Sequence, residues 1–186
     1  MKRLILSLTY LMPILCIVLA CKKAATTDPV KTSVVSTLVF KGNGFENNGN
    51  YPKLYTCDSL GLAPGLQWSG APSGTKSYAI SMHHYPPTGE KHVYWVMYNI
   101  SSTVNTIPEN TTTGYGFGIN TVNGKNTYTP PCSQGPGPKV YILTLYALSA
   151  YPTISLPPSQ ITMDAFMSNI ANIKLDSAVM NVTYTR

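Results

Sequence analysis

All three histidines of the chain lie in one stretch, SMHHYPPTGEKH, which runs from Ser81 to His92. An imidazole can act as a base, ligate a metal or hydrogen-bond an anion. His83 and His84 are adjacent, so an extended strand would point them to opposite faces. The stretch has neither H-x-H nor H-x-x-x-H spacing. A zinc site needs three or four convergent ligands, so no metal and no organic cofactor are expected. Catalysis would need a nucleophile or water within hydrogen-bond reach of the base. Ser69 and Ser73 lie in WSGAPSG, which contains no G-x-S-x-G turn. A hydrolase using His84 or His92 as base therefore ranks last among the functional readings, and the chain is not expected to be an enzyme.

The segments that must position these residues are rich in β-formers. SVVSTLVF, SYAISMHH, HVYWVMYNI, KVYILTLYAL and SAVMNVTYT carry Val, Ile, Tyr, Trp and Thr in runs suited to strands. YILTLYAL is apolar on both faces and predicts a central strand. FENNGNYPK, SGAPSGT, HYPPTGEK and PPCSQGPGPK between them are dense in Pro, Gly and Asn, and predict turns and ordered loops. One helix is expected in TMDAFMSNIANI. There Met163, Phe166, Met167, Ile170 and Ile173 recur at helical spacing behind a Thr162 cap, with Asp164 in the first turn. That stripe reads as core. The pattern predicts a mainly β fold, a large antiparallel Greek-key β-sandwich with a short helix before the C-terminal strand.

Residues 1–20 are of another kind. Lys2 and Arg3 precede an apolar run that ends at VLAC. This predicts a lipoprotein signal peptide, with cleavage leaving Cys21 as the lipid-modified terminus. Acyl chains would then hold the protein at a bacterial membrane on its extracytoplasmic side, in the cell envelope. Residues 21–33 read as a lipidated flexible tether and residues 34–186 as one folded domain. The formal charge is +6, but Lys2 and Arg3 belong to the signal and the other charges are scattered. Without a basic stripe, no nucleic-acid partner is expected. Cys57 and Cys132 remain in the domain. They read equally well as a disulfide formed in an oxidising compartment or as two buried thiols.

The blocks YTCDSLGLAPGLQWSGAPSGTKSYAISM, YWVMYNI, YTPPC and YILTLYAL occur in that order. With the C-terminal helix and strand, this resembles the phosphatidylethanolamine-binding protein family, in its bacterial Raf kinase inhibitor-like branch, over roughly residues 35–186. The resemblance implies a small pocket at one end of the sandwich that accepts anions such as phosphate or a phospholipid head group. It places His84, Tyr94, Pro131, Lys139 and Tyr141 at pocket positions, with His92 on the same face as Tyr94. Most polar positions differ from the family pattern. His83 and His84 stand for Asp-Asp, Tyr94 for a His, Lys139 for a second His and Val140 for an Arg. Tyr141, Pro131 and Cys132 are retained. The expected partner is a small anion or head group, besides the membrane reached through the N-terminal lipid. The alternative is a protein-interaction or inhibitor module acting on an envelope protease or another protein.

Overall fold

The computed structural model describes residues 36–87 and 89–186. The expected signal peptide, Cys21 and the expected tether lie outside the described residues. Val35–Arg186 forms one compact unit. Its strands are β1 (Val39–Gly42), β2 (Gly49–Asn50), β3 (Leu66–Ser69), β4 (Ser77–His84), β5 (His92–Ser101), β6 (Thr106–Ile107), β7 (Gly116–Phe117), β8 (Lys139–Leu148) and β9 (Lys174–Tyr184). They form a three-stranded sheet in the order β1-β3-β6 and a six-stranded sheet in the order β2-β9-β8-β4-β5-β7. All pairings are antiparallel except that of the short β2, which runs parallel to β9.

The main core lies between the sheets. Leu38, Phe40, Leu66 and Trp68 from the smaller sheet side meet Ile80, Met82, Trp95, Met97, Leu143 and Leu145 from the larger. Period-two alternation sends the other half of β4, β5 and β8 to the outer face. There Ala79, Val96, Tyr98, Tyr146 and Leu148 pack under helix α1 (Met163–Ile170) through Phe166 and Ile170. This two-sided burial explains why β4 is buried along its whole length and why β8 is buried from Leu143 to Leu148. The α1 helix starts as its sequence requires. Thr162 is extended, and its hydroxyl accepts from the Ala165 N–H at 3.1 Å. Among the described residues, no helix is long and apolar enough to cross a membrane.

Two irregularities in the β4–β5 ladder matter for the site. Met82 faces Trp95 and His83 faces Val93, so Tyr94 is an extra residue on β5. This β-bulge lets Tyr94 and Trp95 both turn toward the inner core, where strict alternation would have sent one outward. A second break lies between Tyr78 and Ile80 and is absorbed by Asn99, whose φ is 63°. At the other end of the sheet, Ser36 hydrogen-bonds Asp176 of β9 at 2.6 Å, and Asp176 lies opposite Ala147.

Candidate functional site

The strand ends that carry the histidines meet at one end of the larger sheet. His84 closes β4, His92 opens β5 directly opposite it, and Lys139 and Tyr141 open β8 beside them. On the inner face, His84, Tyr94 and Tyr141 cluster as rings. Tyr141 lies 5.4 Å from His84 and 5.4 Å from Tyr94, the latter edge to face. Two loops complete a cavity of about 680 Å³, one bringing Thr121, Val122 and Asn123, the other Thr129, Pro130, Cys132, Ser133 and Gln134.

Five of the six residues that sequence reasoning assigned to a pocket line this cavity: His84, His92, Tyr94, Lys139 and Tyr141. Pro131 does not. It is buried behind the wall, where its carbonyl accepts from the Cys57 N–H at 3.2 Å, and Pro130 and Cys132 present themselves instead. Cys132 is disulfide-bonded to Cys57, with Cα atoms 5.3 Å apart, so the wall is tied to the turn that follows Lys53–Tyr55. His83 points to the opposite face of the sheet, as its parity requires.

The His84 Nδ1 lies 2.8 Å from the Val140 carbonyl oxygen. A carbonyl only accepts, so Nδ1 carries the proton. Burial raises the Tyr94 phenol above its ordinary range. Burial, and next the neighbouring Tyr94, raise that of Tyr141, while the nearby Ser133 hydroxyl opposes the rise. Both phenols therefore stay protonated at neutral pH and can donate. Ser133 is 2 % exposed and lines the cavity, and its Oγ has no aligned hydrogen-bond partner among the described residues. The Lys139 ammonium donates to the Pro136 carbonyl on its own loop at 3.3 Å, which keeps it at the rim. Among the described residues, no carboxylate lines the cavity. The nearby Asp58 is engaged by the Tyr184 hydroxyl at 2.7 Å and by Arg186 at 2.9 Å. No group of three or more acidic, Cys or His side chains among the described residues could hold a metal ion.

Sequence reasoning missed Thr121, Asn123, Thr129 and Ser133. Thr121 and Asn123 are held by the loop's own bonds. The Thr121 hydroxyl accepts from the Val93 N–H at 2.8 Å, and Asn123 donates to Thr129 Oγ1 at 2.9 Å. The one available signal was the position of Ser133 beside the retained Cys132.

His83, on the outer face, is 8 % exposed, and its buried Nδ1 has no partner among the described residues. Burial, then the Lys91 charge and His84, push its imidazole below the ordinary 6.5. The unfolded chain takes up this proton as pH falls below about 6.5, and the folded chain resists it. The folded state is thus at no disadvantage from His83 above that pH and loses stability as pH falls through the window below it. A His83→Leu variant is expected to show a shallower fall in melting temperature between about pH 7 and pH 5 than the parent. Parallel curves would contradict this.

Comparison with known proteins accords with the architecture. The family model described as phosphatidylethanolamine-binding protein matches residues 41–185. The UPF0098 protein of Aquifex aeolicus is 32 % identical over 120 residues, covering 61 % of this chain and 69 % of its own. The UPF0098 protein YbcL of Escherichia coli is 29 % identical over 136 residues, covering 66 % of this chain and 67 % of its own. Among solved structures, a phosphatidylethanolamine-binding protein homologue of Chlamydia trachomatis superposes with a TM-score of 0.73 at 23 % identity, covering 82 % of this chain and 99 % of that one. The YbcL structure gives 0.69 at 23 % identity, with 80 % and 98 % covered.

Proposed function

The chain belongs to the phosphatidylethanolamine-binding protein family, and from that premise we propose a lipid-anchored, extracytoplasmic binding protein whose cavity takes a small anion or a phospholipid head group. One observation carries the reading. Protonated phenols and the Ser133 hydroxyl line a cavity with the Lys139 ammonium at its rim and, among the described residues, no carboxylate in its wall. Convergent donors around a concave, partly apolar site are the usual mark of a ligand pocket. Binding alone is proposed, with no chemical step. Among the described residues no hydroxyl is hydrogen-bonded to His84, and the hydrolase reading draws no support from the site.

A second reading, a protein-docking module, rests on the rim. Tyr85 and Val122 are 58 % and 51 % exposed, and Val122 borders the cavity. Calorimetric titration of the protein with phosphate and phosphoethanolamine tests the first reading. Saturable binding is expected, and Lys139→Ala should weaken it by about threefold to tenfold, the value of one exposed charge-assisted bond. Absence of saturable binding at millimolar concentration would sink the small-anion reading and leave the docking module.

A further inference from the structure

We infer that His84 selects the ligand by accepting a hydrogen bond from it, so that the cavity prefers an oxyanion carrying its own N–H or O–H donor over an equally charged anion without one. This rests on the anion-binding reading above and adds a rule for which anions enter.

The Val140 carbonyl fixes the tautomer, because Nδ1 must be the protonated nitrogen in that bond. In the neutral ring, Nε2 is then a bare acceptor. Nε2 has no hydrogen-bond partner among the described residues, yet it is not among the buried polar atoms sealed without one. What surface the ring keeps therefore includes it, and His84 lines the cavity. The other inward polar groups complement it. Tyr94 and Tyr141 are phenol donors, and the Ser133 hydroxyl can both give and take. A dianion such as sulfate offers only lone pairs. It would satisfy the phenols and set a lone pair against Nε2. Hydrogenphosphate has the same charge and one P–OH, which can donate to Nε2 while its other oxygens accept. The ammonium of an ethanolamine head group supplies the same donor from the other side of a phosphate. A ligand that covers this acceptor without supplying the matching donor leaves it unpaired and is disfavoured.

The same ring is held by a neighbour and by its own strand. Tyr141 packs against it at 5.4 Å, and β4 carries it on a strand buried along its length. A ring fixed in this way cannot swing to offer Nδ1 without breaking the Val140 bond.

The test uses two matched pairs of probes, titrated into the full-length protein at about pH 8, above the general imidazole range. One pair is inorganic phosphate and sulfate. The other is phosphoethanolamine and phosphocholine, whose quaternary nitrogen has no N–H. The donor-bearing member should bind at least about tenfold tighter in one pair or both, as expected for a hydrogen bond involving a charged group. Preference in the first pair alone identifies free phosphate as the source of this chemistry, and preference in the second identifies a head group. In His84→Phe the preference should vanish, with the favoured probe falling to the level of its partner. Equal binding within both pairs overturns the role of His84 and leaves the anion pocket standing. Binding of none of the four overturns both. The wild-type pairs decide the matter even where the variant does not fold.

Discussion

Replacing Cys57 and Cys132 together by serine is expected to lower stability by roughly 2–5 kcal/mol. The bond joins residues 75 apart, so breaking it releases a long loop in the unfolded chain. In the folded state the same bond tethers the cavity wall at Cys132 to the turn at Cys57. The fold itself should survive, because the hydrogen bond from the Cys57 N–H to the Pro131 carbonyl and the two sheets do not depend on sulfur. Denaturant unfolding of the double variant, beside the parent with and without reductant, measures this. The reduced parent and the variant should coincide. A loss below about 1 kcal/mol would mean that the unfolded chain gains little freedom on release, against the chain-entropy account.

Trp95→Ala should cost roughly 3–5 kcal/mol, the range for removing a fully buried large aromatic. Trp95 is 0 % exposed and sits beside the bulge that turns Tyr94 inward. Its indole packs edge to face on Tyr128 at 5.5 Å. The Tyr128 hydroxyl in turn lies 3.0 Å from that of Tyr51, and the Tyr51 ring lies 6.2 Å from Tyr141 in the cavity wall. The loss would therefore loosen the layer beneath the cavity as well as the core. Trp95→Phe is the informative companion. Among the described residues the buried indole N–H has no partner, and phenylalanine removes that donor while keeping most of the ring. It should lose markedly less than alanine in denaturant unfolding. Equal losses would show that the second indole ring, not aromatic bulk in general, holds this layer.

Much of this arrangement was legible in the chain because period-two patterning is a local property. SYAISMHH gives β4 with its observed limits, and the opposite facing of His83 and His84 follows from adjacency alone. The helix announced itself through Thr162 and the Phe166–Ile170 stripe. Likeness to a family then supplied what periodicity lacks, the grouping of Tyr94, Lys139 and Tyr141 from distant strands. Three things lay beyond the pattern. The bulge at Tyr94 is set by the partner strand, because a single strand does not reveal that two residues will face one. The pairing of Cys57 with Cys132 required a spatial approach that spacing does not fix. Ser133, Thr121 and Asn123 sit in loops whose course is decided by contacts with β5, so no periodic signal marks them. Pro131 was read as cavity wall because its type is retained, but the loop turns Pro130 and Cys132 inward at that point.

The bond between Ser36 and Asp176 gives the domain a handle and a mouth at opposite poles. Asp176 lies opposite Ala147, whereas the mouth opens at Lys139 and Tyr141 near the start of the same strand. Tyr141 to Ala147 alone spans about 20 Å of strand. Ser36 is thus held at the end of the sheet away from the opening. A probe attached at Ser36 would therefore stand clear of the mouth.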